Sequence, residues 1–233
     1  MLIAVTIIKR GQKMNRDTKR ELTPDEAKRN EYYEREKARL EQEGYKSYDL
    51  TTSVLKANVM AVLLVLPFFA IFTIIYLMVN NVTGLELLHG ALDGFDTPLE
   101  LLLYFAIFFI LIIVHELIHG VSRAMYAKSG WKSISFGFIV KKLTPYCACN
   151  EPLTKFAYIF GAMMPAVVLG FIPGIISIVI GNAYVFFLSM VMILAGGGDI
   201  HTTLVLLMFK PNGKKAIYID HPYLIGLAAF VKE

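Results

Sequence analysis

The chain is short of cysteine and tryptophan: its 233 residues include two cysteines and one tryptophan. Two cysteines cannot build the dense disulfide framework of a small secreted domain. Both fall in one C-x-C, Cys147 and Cys149, a weak metal signal when no second pair accompanies it. Basic residues are missing from one loop altogether. None lies between Asn80 and Pro98, where Glu86, Asp93 and Asp96 stand instead. A signal-peptide layout is lacking too, because the apolar opening MLIAVTII is followed, not preceded, by basic residues. That opening is too short to span a bilayer, and a short strand or interfacial segment is expected there. Neither an internal repeat nor a low-complexity tract is visible.

Apolar residues are abundant: 56% of the chain is hydrophobic and the mean hydropathy is +0.55. They come in blocks, unlike the periodic scatter of a soluble domain. Four blocks, at about residues 55–79, 99–119, 155–180 and 183–208, reach the roughly 20 residues needed to cross the hydrocarbon core. Of the 23 basic residues, 13 lie between Lys9 and Lys56. Others follow the second block (Arg123, Lys128, Lys132, Lys141, Lys142) and the fourth (Lys210, Lys214, Lys215). Basic loops stay cytoplasmic.

The expectation is an all-α integral protein of the cell membrane: a four-span helical bundle with both termini cytoplasmic and a short amphipathic strand or hairpin in the central cytoplasmic loop. Its parts are a cytoplasmic N-terminal segment with a charged helix (1–54), a membrane catalytic domain (55–208) and a cytoplasmic tail (209–233). The net charge of +4 then reflects topology and contact with the lipid bilayer, and offers no basis for nucleic-acid binding. A reducing compartment around the central loop also argues against a disulfide between the cysteines.

Local signals add detail. Thr23-Pro24-Asp25-Glu26 is a capped helix start, and the helix runs to Gly44, charged almost all round. Such a face reads as solvated, with partner docking as the alternative. Thr97-Pro98-Leu99-Glu100 repeats the device and fixes where the second block begins. SISFGFIV, residues 133–140, alternates with the period of a half-buried strand. The third block carries Gly161, Pro165, Gly170, Pro173 and Gly174. Its stripe of Ala166, Gly170 and Gly174 permits close helix approach, which makes it the packing partner of the second and fourth blocks.

The second block ends in VHELIHG, with His115, Glu116 and His119 inside an apolar helix. Ionisable groups there are costly, and their default reading is functional. H-E-x-x-H puts both imidazoles on one helix face, able to reach one zinc ion, with Glu116 beside them as base. Catalytic zinc usually takes a third protein ligand. His115 lies 17 residues beyond Pro98, about 26 Å of helix rise, and Asp199 lies 16 beyond Ala183, about 24 Å. The two therefore reach nearly the same depth, and Asp199, preceded by Gly196-Gly197-Gly198, is the favoured third ligand. His201 is its rival, but it faces another side of an unbroken helix. The bland alternative is histidines hydrogen-bonded between helices.

HELIHG, PYCACNEPL at residues 145–153 and GGGDI at residues 196–200, in this order, resemble a family of small four-span bacterial membrane zincin peptidases, related to the site-2 protease class. The resemblance covers roughly residues 45–210. It implies His115, His119 and Asp199 as zinc ligands and Glu116 as catalytic base. Site-2 proteases typically set their aspartate in Asn-Pro-Asp-Gly, where this chain has glycines, and carry an asparagine in the third core span that GAMMPAVV lacks.

The expected function is therefore a zinc metalloprotease cutting membrane protein or peptide substrates in or beside the bilayer, with the 133–140 strand able to capture an unwound substrate by edge pairing. The alternatives are a membrane zinc hydrolase of a non-peptide substrate, and a non-catalytic scaffold or ion pathway.

Overall fold

A computed structural model describes residues 21–93, 97–139 and 144–233. The strand expected in MLIAVTII, the acidic Asp96, and Val140, Lys141 and Lys142 of the central loop lie outside the described residues.

The N-terminal helix α1 (Pro24–Gln42) opens as expected: the Thr23 side chain accepts from the Glu26 amide and Glu26 reaches back to the Thr23 amide. It stops at Gly44, whose φ of +80° is a conformation glycine adopts without strain. Although α1 is charged over most of its surface, it is not solvated all round. Leu40 is buried and packs, with Tyr33 beside it, on Tyr45, Ile219, Ala228 and Phe230.

Those last residues belong to strands. β1 (Tyr45–Thr52) leads into α2 (Val54–Asn80), the first long apolar helix. A short helix α3 (Gly84–Leu92) follows, then α4 (Pro98–Ala124), opened by the Thr97–Glu100 capping box. After a 3-10 turn come β2 (Ile134–Ile139) and β3 (Thr144–Cys149), an antiparallel hairpin in which Phe136 faces Cys147. The third block begins as α5 (Lys155–Pro165), widens into a π-helical turn (Ala166–Phe171) and continues as α6 (Ile172–Ile180). Pro165 and Pro173 free backbone groups along this stretch, and the turn widens between them. The fourth block is α7 (Ala183–Ala195) and α8 (Gly197–Met208), bent by 47° at Gly196. β4 (Ala216–Asp220) and β5 (Ile225–Lys232) follow.

Among the described residues, three helices are long and apolar enough to cross a membrane, and the bent α7–α8 pair passes the same test if taken together. Large apolar side chains such as Leu63, Ile71, Phe109 and Ile175 stand exposed on the outside of this layer. So much contiguous apolar surface marks a membrane-facing protein.

The all-α expectation is corrected. β1, β5 and β4 form a three-stranded antiparallel sheet with β5 in the middle, Tyr45 opposite Lys232 and Asp220 opposite Leu227. The expected C-terminal tail therefore supplies two strands of a sheet, with β5 at its centre. In β5, Leu227 and Ala229 pack towards Tyr158, Leu206 and Tyr218, while Ala228 and Phe230 pack towards α1. Burial on both faces removes the polar–apolar alternation that flags a strand in sequence. The pairing also puts residues before the first long helix and residues after the last at the same end of the helical layer. The β2–β3 hairpin joins them there through Leu153, which exchanges backbone hydrogen bonds of 2.8 Å with Tyr218.

Phe230 is fully buried between the sheet and α1. Phe230→Ala is expected to destabilise the protein by about 3–5 kcal/mol. Lys214→Ala, at an exposed turn position, is expected to change stability by less than about 0.5 kcal/mol. Denaturant unfolding in detergent measures both.

Candidate metal centre

α4 carries His115 and His119 one turn apart on its buried face, their ring centroids 4.8 Å apart and the rings nearly perpendicular. Asp199 comes from the first turn of α8, where the positive end of the helix dipole favours a carboxylate. His115 Nε2 is 3.4 Å from Asp199 Oδ2, and His119 Nε2 is 3.3 Å from Asp199 Oδ1. The three donor groups lie within 4.8 Å of one another. Histidines from one helix and an aspartate some eighty residues later in the chain thus meet at one point.

The three groups converge at distances longer than the about 2.7–2.9 Å of a charge-assisted hydrogen bond, as the ligands of one metal ion do. The tautomer of His119 fits as well. Its Nδ1 is 2.7 Å from the Gly161 carbonyl oxygen; a carbonyl only accepts, so Nδ1 carries the proton and Nε2 keeps its lone pair for a metal. Two neutral imidazoles and one carboxylate are the donor chemistry zinc takes.

Glycines let these parts approach. A Cβ on Gly161 would sit 2.5 Å from Arg123 Cγ, one on Gly196 would sit 2.9 Å from the Ala166 Cβ, and one on Gly197 would sit 3.0 Å from the Ala61 backbone oxygen. Gly198 differs, since a Cβ there meets nothing within 4 Å. Two glycines of the GGG run therefore seat the bend, and the third leaves open space beside Asp199. The small-residue stripe likewise meets α7, with Gly170 against Ile193 and Gly174 against Met190, and Gly174 also touches Phe72 of α2.

Glu116 is half-buried and lies within electrostatic reach of His119, His115 and Asp199. His201 is buried but separate from the three donors. It lines a small cavity with Leu50, Thr52 and Gly226, against the sheet. The cysteines are free thiols outside the donor group. Burial pushes the Cys147 thiol up to about 12; Asp220 and Glu116 push the same way, against the lowering by Arg123. A thiol raised in this way is a weak nucleophile.

Three polar residues beside the centre were not read from the sequence as part of it: Arg123, Tyr158 and Asp220. Arg123 had a signal, since it continues the His115–His119 face by one further turn of α4. Tyr158 and Asp220 had none, because the contacts that bring them there are tertiary.

Residues 108–214 match the model of a protein family described as "Putative zincin peptidase". The matched segment contains His115, Glu116, His119 and Asp199 and stops short of β4 and β5. Searches among curated proteins and among solved structures found no significant match.

Detergent-purified protein is expected to bind about one zinc per chain. His119→Ala and Asp199→Ala are expected to lose it, and His201→Ala to keep it, as read by metal analysis after dialysis. Zinc retained in Asp199→Ala but lost in His201→Ala would exchange their roles.

Proposed function

From a segment matched to the zincin peptidases, we propose that this protein is a zinc metallopeptidase that hydrolyses peptide bonds within or beside a membrane, in the manner of the site-2 proteases. The observation that carries the reading is the His115–His119–Asp199 group with Glu116 one residue from the first ligand. His115 and His119 through Nε2, and Asp199 through its carboxylate, would hold the ion. Zinc held there supplies Lewis acidity towards a scissile carbonyl and lowers the pKa of a coordinated water.

The remaining steps belong to the chain. Glu116 takes the proton of the attacking water and passes it to the leaving amine. The apolar residues of α4, α5 and α8 around the site lower the local dielectric, which strengthens each charge interaction there. Asp199 offsets positive charge where an uncompensated cation is costly.

A substrate helix presents no free backbone, so it must unwind before it is cut. β2 has β3 as its one ladder partner among the described residues, and its other edge is the proposed binding strand for the unwound segment. Four crossings, counting α7–α8 as one, fit the sheet that joins residues before the first long helix to residues after the last. The basic residues before the first long helix and after the last support a cytoplasmic side for both by the positive-inside rule.

Glu116→Gln keeps the shape and loses the base. It is expected to retain zinc while cleavage of membrane peptides, followed by mass spectrometry in cells, falls about 10²–10⁴-fold. An unchanged peptide profile beside an altered lipid profile would instead assign the site to a non-peptide substrate. Unchanged function by every readout would remove the base role of Glu116.

A further inference from the structure

Immediately beyond the metal centre, one carboxylate ties four elements together. Asp220, at the end of β4, accepts from Arg123 Nη1 of α4 at 3.0 Å and from the Cys149 amide of β3 at 2.9 Å, both on Oδ2. Its Oδ1 accepts from the Tyr158 hydroxyl of α5. Arg123 Nη1 also donates to the Cys147 carbonyl at 3.0 Å, and its guanidinium lies 5.3 Å from the centre of the Tyr158 ring. The Arg123 and Asp220 side chains are 8% and 17% exposed. A charge this buried is stable only with its partner, so breaking the pair costs far more than an exposed ion pair would.

The network is connected to the metal centre at two points. Arg123 stands one turn after His119 on the same face of α4. Its side-chain stem packs on Gly161, where a Cβ would come within 2.5 Å of Arg123 Cγ. Gly161 is the residue whose carbonyl accepts the hydrogen bond from His119 Nδ1, and it lies one turn after Tyr158 on α5. Asp220 therefore sets α4 against α5 through both Arg123 and Tyr158, at the level where His119 is oriented. Through Cys147 and Cys149 it fixes β3, and with it the hairpin, to the same frame.

We infer that Asp220 is a positioning residue of the metal centre: by clamping Arg123 and Tyr158 it fixes the orientation of His119 and seats the β2–β3 hairpin beside the ligands. Asp220 lies outside the segment matched to the zincin peptidases, so the C-terminal sheet completes a centre whose proposed ligands and base all come from that segment. The inference rests on the metal-centre reading given above.

The test uses full-length protein in detergent loaded with cobalt(II), whose visible absorption reports ligand geometry. Cobalt affinity and spectrum are measured for wild type, Asp220→Asn and Tyr158→Phe, alongside circular dichroism and thermal unfolding. Asp220→Asn is expected to bind cobalt about 10–100-fold more weakly, as loss of a partner that orients a ligand does, with a shifted ligand-field band. Tyr158→Phe removes one hydrogen bond and keeps the ring, and is expected to shift the same band with a smaller loss of affinity. Wild-type affinity and an unchanged band in both variants would overturn the inference and leave the metal centre standing. An unfolded Asp220→Asn beside a folded, spectrally normal Tyr158→Phe would overturn it as well, by reducing the network to a fold contact. Failure of the wild-type protein to bind cobalt overturns both readings.

Discussion

The fold depends on the meeting of Asp199 with His115 and His119. Each of these groups is expensive to place in an apolar helical layer, and each is tolerable there because the other two are within about one ligand radius of the same point. α4 and α8 are far apart in sequence, and the remaining helices are arranged so that these two can present polar side chains to one another. α5 supplies the carbonyl that orients His119, and α2 and the π-helical turn receive the glycines at the α7–α8 bend.

That arrangement explains an irregularity that would otherwise count against the fold. Two spans of the layer are broken, one by a π-helical turn after Pro165 and one by a 47° bend at Gly196. The breaks face each other, since a Cβ at Gly196 would press on Ala166, the first residue of the π turn. Regular helices in both spans would pack with a uniform separation. The matched breaks let α8 leave the line of α7 and start a new helix with Asp199 in its first turn.

Much of this was legible in the residues themselves. The capping boxes at Thr23 and Thr97, the apolar blocks, the alternating strand after α4 and the one-turn spacing of His115 and His119 are local or additive properties, and a sequence displays such properties directly. The sheet was not legible. β5 is buried on both faces, so LAAF reads as a featureless apolar stretch and carries no period-two pattern. α1 misled for the opposite reason: charged residues dominate its surface, and its cover over the sheet rests on a few side chains such as Leu40 and Tyr33. Asp220 was invisible as a site residue because nothing near it in sequence announces chemistry. Its role comes from Arg123, 97 positions earlier, and Tyr158, 62 positions earlier.

The central place of β5 in its sheet has a consequence for biosynthesis. β1 leaves the ribosome before any of the long helices and β5 after all of them, yet among the described residues β5 is the one ladder partner of β1. The sheet is a contact of very long sequence separation, which closes late and slowly. Until it closes, β4 lacks its β5 neighbour and Asp220 is held only from the side of α4, α5 and β3. A chain still being made, or one that stalls before its last strand, would therefore hold its histidines and Asp199 in a loose frame. The order of synthesis thus leaves an interval in which every long helix has been made and the sheet has not yet closed.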